Sequence, residues 1–286
     1  MGSGVWSSTS YTTSVTSKGF TTVDALSYAN VQDVFENRRL DSALNPKGVV
    51  RECCDSVEHP NTLPIILALD VTGSMGRAAT MCAGKLDEIM SELYKSTKDV
   101  EFMMMGIGDL AYDRAPIQAT QFESDVRIFD QTTKIYFEGG GGGNLFESYT
   151  AAWYFGLYNT KLDCWKRGQK GIIITMGDEP LNPYLPGKAL SEVLGTNTQD
   201  VDTEDLYKAV CEKFDVYHIA INDSNNCYHK YKNDIIDTWG ALLGQRFLVS
   251  TLENLPQTIA AIVEDHMGYM PSDVGAVTVT EEGISW

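Results

Sequence analysis

Positive charge is scarce in this sequence. Its 286 residues carry 22 Lys and Arg against 39 Asp and Glu, a formal net charge of −17 at pH 7. Phosphate backbones and anionic bilayers are held by clustered cations that displace counterions, so neither a nucleic-acid partner nor a membrane-surface partner is expected. Long apolar runs are also missing. No stretch reaches the roughly 18 residues of a spanning helix, and the Ser/Thr-rich start, MGSGVWSSTSYTTSVTSKGF, has no apolar segment of the secretory kind. A cytoplasmic protein is the expectation. The six cysteines, Cys53, Cys54, Cys82, Cys164, Cys211 and Cys227, form no CxxC and no Cys/His cluster at zinc spacing. They read as reduced packing residues rather than as metal ligands or a disulfide frame.

What is present is ordinary core material, 43% apolar residues with 21% charged, the balance of a globular chain. At about 150 residues per domain the length suggests two units, although one α/β domain with extensions also reaches it. The pattern along the chain favours the second. Residues 1–61 read as a partly irregular N-terminal extension. Within it the first twenty residues have no evident fold, and Val23 to Phe35 form an amphipathic stretch of helical spacing. From residue 62 to 267 strands alternate with helical stretches, which predicts a Rossmann-like, doubly wound α/β domain with a mostly parallel central sheet.

The strands expected are Ile65 to Leu69, Val100 to Ile107, Arg127 to Phe137, Gly171 to Met176, the DVYHIAI run ending at Ile221, and Arg246 to Ser250. The helices expected are Arg77 to Lys95, Leu145 to Tyr158, one opening at Thr203, and one from Pro256 to Val263. Continuous apolar character in the first strand suits burial on both faces. Residues 268–286, with a VTVT run, form a C-terminal tail that either adds an edge strand or stays loose.

In an open α/β sheet, ligands bind beyond the carboxyl ends of the central strands. The first strand ends in Asp70-Val71-Thr72-Gly73-Ser74, a carboxylate and two hydroxyls at alternate positions. A second acidic pair, Asp178-Glu179, follows the strand IIITMG. Between them lie five glycines, Gly139 to Gly143, then Asn144, Glu147 and Ser148. Glycines let backbone approach a ligand closely, and Asn144 suits a helix cap. Any one of these residues alone reads equally as a cap or a loop. Their convergence, without His or Cys, describes an oxygen-lined site for Mg²⁺, or for Mn²⁺ or Ca²⁺. Asp109 and Asp113, in the polar stretch after the second strand, are candidates for its rim, together with Ser148 and Glu179.

The segment ILALDVTGSM resembles the first motif of the von Willebrand factor A family, whose metal-ion-dependent adhesion site reads Asp-x-Ser/Thr-x-Ser after a central strand. The resemblance runs from Leu63 to Val263 and leaves the extension uncovered. It implies that Asp70, Thr72 and Ser74 hold a divalent cation, with Asp178 as the family's later aspartate. It also implies a protein-binding adhesion or scaffold module in a larger intracellular complex, whose ion bridges to an acidic residue of a partner. One position departs. Gly143 stands where typical members place a threonine ligand, which makes Asn144, Glu147 or Ser148 the substitute. A Gly-rich loop followed by Glu-Ser is similar to a prokaryotic, phage-like or alpha-kinase-associated branch.

Two enzyme or cofactor readings compete. A Mg²⁺-dependent phosphohydrolase of haloacid-dehalogenase type would use Asp70 as nucleophile, but it needs a second acid where Thr72 stands. Dinucleotide binding requires a glycine fingerprint directly after the first strand, where Asp70 stands instead. No catalytic residue is assigned. His218, inside DVYHIAI, reads as a core histidine. The polar run Asn222 to Asp234 reads as a solvated loop, and the acidic run Asp200 to Asp205 as the charged start of a helix.

Overall fold

The computed structural model describes residues 4–19, 35, 37–97, 99–138 and 146–268. Six strands form the central sheet: β2 (Leu63–Asp70), β3 (Val100–Ile107), β4 (Ile117–Ala119), β6 (Gly171–Gly177), β9 (Phe214–Ile221) and β10 (Phe247–Ser250). Their spatial order is β10-β9-β6-β2-β3-β4. All neighbours run parallel except β3 and β4. This is the expected doubly wound, mostly parallel α/β sheet. Two small ladders lie outside it, β1 (Arg51–Cys53) parallel to β5 (Thr160–Leu162), and β7 (Tyr184–Leu185) antiparallel to β8 (Val201–Asp202).

Strand β2 shows why its apolar run is continuous. Ile65, Leu67 and Leu69 point into one core, against α2 (Arg77–Gly84), α3 (Leu86–Ser96) and α9 (Leu255–His266). Ile66 and Ala68 point into the other, against α5 (Ala151–Tyr158), α7 (Thr203–Val210) and α8 (Tyr228–Leu243). A strand covered on both faces has no polar side to alternate with. Asp202 caps α7 by accepting the N–H groups of Glu204 and Asp205, so the acidic run does begin a helix. His218 is fully buried in β9, stacked on Trp239 with ring centres 3.7 Å apart.

Several expected elements differ. The first twenty residues include a helix, α1 (Ser8–Ser17), capped by Ser7 and seated in the core through Trp6, Tyr11 and Val15. The rings of Tyr11 and Phe129 make a T-shaped contact with centres 4.8 Å apart. Three apolar side chains in a Ser/Thr-rich segment are enough to anchor it. The stretch expected to be a strand from Arg127 is instead α4 (Arg127–Thr132), because Ile128, Phe129 and Thr132 share the buried side of a short helix. The helix expected over Arg77 to Lys95 is broken at Lys85, next to Gly84, into α2 and α3. Gly weakens a helix interior by conformational entropy. The run Asn222 to Asp234 turns helical at Tyr228, since Tyr228, Ile235, Trp239 and Leu243 supply a buried stripe along an otherwise polar start. Between Tyr184 and Leu194 lie β7 and α6 (Gly187–Leu194), which the sequence patterning did not distinguish from loop. The amphipathic stretch Val23 to Phe35, except Phe35, and the tail beyond residue 268 fall outside the described residues.

Candidate functional site

The order of the sheet reverses at β2. The chain leaves β2 for β3 on one side and later returns through β6 on the other. The carboxyl ends of β2 and β6 therefore open the crevice where ligands of such sheets bind. Pairing of Leu69 with Met176 brings Asp70, the last residue of β2, level with Gly177, and Asp178 follows immediately.

Asp70 is fully buried. Its Oδ1 accepts the Thr72 N–H at 2.9 Å and the Thr72 hydroxyl at 2.7 Å. An aspartate that holds the backbone two residues ahead makes a tight turn by itself, which is why the polar side chains sit at alternate positions. Ser74 donates its hydroxyl to Asp178 Oδ1 at 3.1 Å, and Asp178 Oδ2 accepts the Cys227 N–H at 2.6 Å. Between the two hydroxyls, Thr72 Oγ1 and Ser74 Oγ lie 3.0 Å apart. Each hydroxyl carries one proton. With both carboxylates ionised, one proton goes to Asp70 and the other to Asp178. The two facing oxygens are then left with lone pairs only. Such a pair is repulsive in isolation, and a positive charge placed beside it would offset that repulsion.

Around this chain the electrostatics point the same way. Burial, followed by the charge of Asp178, pushes the Asp70 carboxyl upward, and burial raises Asp178. Glu179 is pushed up to about 8 by burial and then by the charges of Asp70 and Asp178. Glu147 rises well above the carboxylate range through burial and then the charges of Asp70 and Glu179. Glu147 Oε2, Glu179 Oε2 and Asp109 Oδ2 are buried with no hydrogen-bond partner. A buried acid without a donor is costly unless a proton or a cation neutralises it. Among the described residues no three His, Cys, Asp or Glu side chains converge as a metal cluster. The convergent set is two carboxylates linked through two hydroxyls, a hard, all-oxygen donor set of the kind that suits Mg²⁺, Mn²⁺ or Ca²⁺.

The remaining expected residues take varied places. Glu147 and Ser148 do not start a helix; α5 begins at Ala151. The Ser148 N–H donates to Gly108 O at 3.3 Å and its hydroxyl accepts the Leu110 N–H at 3.0 Å. These bonds tie the segment to the loop after β3 instead of to a helical turn, so it reaches the crevice from a loop and not from a strand end. In that loop Asp109 accepts the Ala111 N–H, and Asp113 accepts the Asp109 N–H at 2.7 Å. Asn144 lies outside the described residues. Two contributors carried no signal in the sequence. One is the Cys227 amide, a backbone group at the start of α8. The other is Tyr149, fully buried, whose hydroxyl donates to Asp70 Oδ2 at 2.6 Å. It sits beside Glu147 and Ser148 in a stretch that reads as helix, and only its adjacency to the Gly-rich loop marks it.

No family model matches the chain, and no curated protein matches it. Among solved structures it is similar to the pilus adhesin SpaC from Lactobacillus rhamnosus GG in its open conformation, at 12% identity and a TM-score of 0.46, over 77% of this chain and 31% of that one. The chain thus spans about a third of the length of that adhesin. It is also similar to the vWF domain of the type V pili tip protein Mfa5 from Porphyromonas gingivalis, at 12% identity and a TM-score of 0.44, over 74% of this chain and 98% of that one. A third is the von Willebrand factor type A protein from Catenulispora acidiphila, at 13% identity and a TM-score of 0.40, over 73% and 43% of the two chains.

Proposed function

We propose that this chain is a von Willebrand A-like binding module that holds a divalent cation at Asp70, Thr72, Ser74 and Asp178 and uses it to grip a protein partner. The observation that carries the reading is the hydroxyl pair. Thr72 Oγ1 and Ser74 Oγ stand 3.0 Å apart, and each also lies within hydrogen-bond distance of a different carboxylate, Asp70 and Asp178. An ion bound there supplies an open coordination position that a partner's Asp or Glu fills. Glu147, with its orphaned oxygen, takes the place of the absent threonine ligand. A protein of net charge −17 then holds an acidic side chain only through the ion. An intracellular setting completes the reading, supported by six free thiols.

A phosphohydrolase needs a second acid where Thr72 stands. Here the Thr72 hydroxyl donates to Asp70 instead. Titration of Mg²⁺ or Mn²⁺ into the purified protein and into Asp70→Ala tests the binding reading. Saturable binding by the wild type that disappears in Asp70→Ala is expected; negligible binding by both sinks it.

A further inference from the structure

Tyr149, which belongs to neither strand end, touches both halves of the site. Its hydroxyl donates to Asp70 Oδ2 at 2.6 Å, at the end of β2. The same oxygen accepts the backbone N–H groups of Asp178 and Glu179, each at 3.3 Å, beyond the end of β6. A phenol has one proton and two lone pairs. Amide N–H groups can only donate, so the phenolic proton has a single destination, the Asp70 carboxylate. All three valences of the hydroxyl are used, which leaves it no capacity to act on a ligand. Its position is fixed on every side. The ring is fully buried, its centre 5.3 Å from that of His218 and 5.7 Å from that of Trp239, in T-shaped contact with both. At Gly177 a Cβ would lie 2.2 Å from the hydroxyl oxygen, so the absence of a side chain there is what admits the phenol.

We propose that Tyr149 is the positioning residue of the cation site, holding Asp70 at a set distance from the Asp178 turn. The proposal rests on the reading of Asp70 to Asp178 as a cation site. Asp70 Oδ1 already accepts two bonds from Thr72. With Oδ2 held by Tyr149, Asp70 keeps one lone pair for an ion or an ion-bound water, in one direction. Removing the phenolic oxygen leaves Asp70 Oδ2 unheld and two amides without an acceptor. Outer-shell partners of this kind change metal affinity by about tenfold or more when lost.

The experiment compares Mn²⁺ binding, by calorimetry, of the wild type, Tyr149→Phe and Trp153→Phe. Trp153 is buried on the same face of the sheet and its ring packs on Trp239 and Tyr207. It serves as the control for general loosening. Tyr149→Phe is expected to bind about tenfold more weakly, while Trp153→Phe binds as the wild type does. Equal affinity in wild type and Tyr149→Phe overturns the proposal, and so does an equal loss in both variants. Absence of Mn²⁺ binding by the wild type overturns the cation reading itself, a result distinct from the other two. Should Tyr149→Phe not fold, 3-fluorotyrosine placed at residue 149 retains the hydroxyl, and its ¹⁹F resonance is expected to shift during the Mn²⁺-free Mg²⁺ titration. A resonance unmoved at saturating Mg²⁺ also overturns the proposal.

Discussion

Asp70, Thr72 and Ser74 act through their spacing. An aspartate at the end of a strand recruits the amide and hydroxyl two residues later, so a pattern of three side chains defines a local geometry that needs no distant partner. That is why these residues, and Asp178 after its own strand, were legible in the sequence. Gly177 and Tyr149 were not, because each has meaning only in terms of the other. A methyl at residue 177 would meet the Tyr149 hydroxyl, Cε1 and Cζ at 2.2 to 2.5 Å. Because the ring is enclosed, Gly177→Ala is expected to cost about 2 kcal/mol of stability, the ordinary scale of overpacking. It should also weaken divalent-cation affinity. Urea unfolding monitored by tryptophan fluorescence measures the first and calorimetric titration the second; an unchanged midpoint would show that the ring yields freely.

Strand β3 carries an acid that the site does not use. Glu101 is buried, no N–H or O–H donor reaches either of its carboxylate oxygens, and the Cys53 thiol lies against it. Burial raises its carboxyl to about 7 from the usual 4.5. A folded value above the unfolded one means that the folded state binds the proton more tightly. The stability it contributes is present at low pH and lost as pH rises from about 4.5 to about 7. Glu101→Gln removes that loss. The variant is expected to melt near the wild-type temperature at pH 4.5 and above it at pH 8, by differential scanning calorimetry; a variant less stable than wild type at pH 8 would contradict this account. At this scale the apolar strands were readable because burial on two faces leaves an unbroken hydrophobic run. Short helices were harder. Arg127 to Thr132 is apolar enough for a strand, and its helical form is decided by Ile128 and Phe129 meeting the Tyr11 side of the core. The first turns of α8 are mostly polar because they face solvent, and after Tyr228 its buried stripe resumes only at Ile235.

Over the whole molecule the charge of −17 is not spread evenly. Asp70 and Asp178 stand at the switch point of the sheet, Glu147 and Glu179 lie near enough to feel their charge, and burial raises all four carboxyls. Without a cation, stability is therefore expected to fall as pH rises, for Glu179 across the window from about 4.5 to about 8. A ligand that binds only the folded state adds stability by mass action. Mg²⁺ should then raise the melting temperature more at pH 8 than at pH 5, relative to chelator. A cation effect that is flat across this range would separate the four acids from the binding event. The sequence by itself determined the doubly wound class and the four oxygen side chains at the two strand ends, because hydrophobic periodicity and short-range turns are local properties. Only the tertiary structure decided that α1 belongs to the core, that Glu147 and Ser148 arrive from a loop stitched to Gly108 and Leu110, and that a tyrosine and the Cys227 amide hold the two aspartates. Each of these is a contact between segments far apart in the chain, set by sheet order and packing, and no local pattern encodes it.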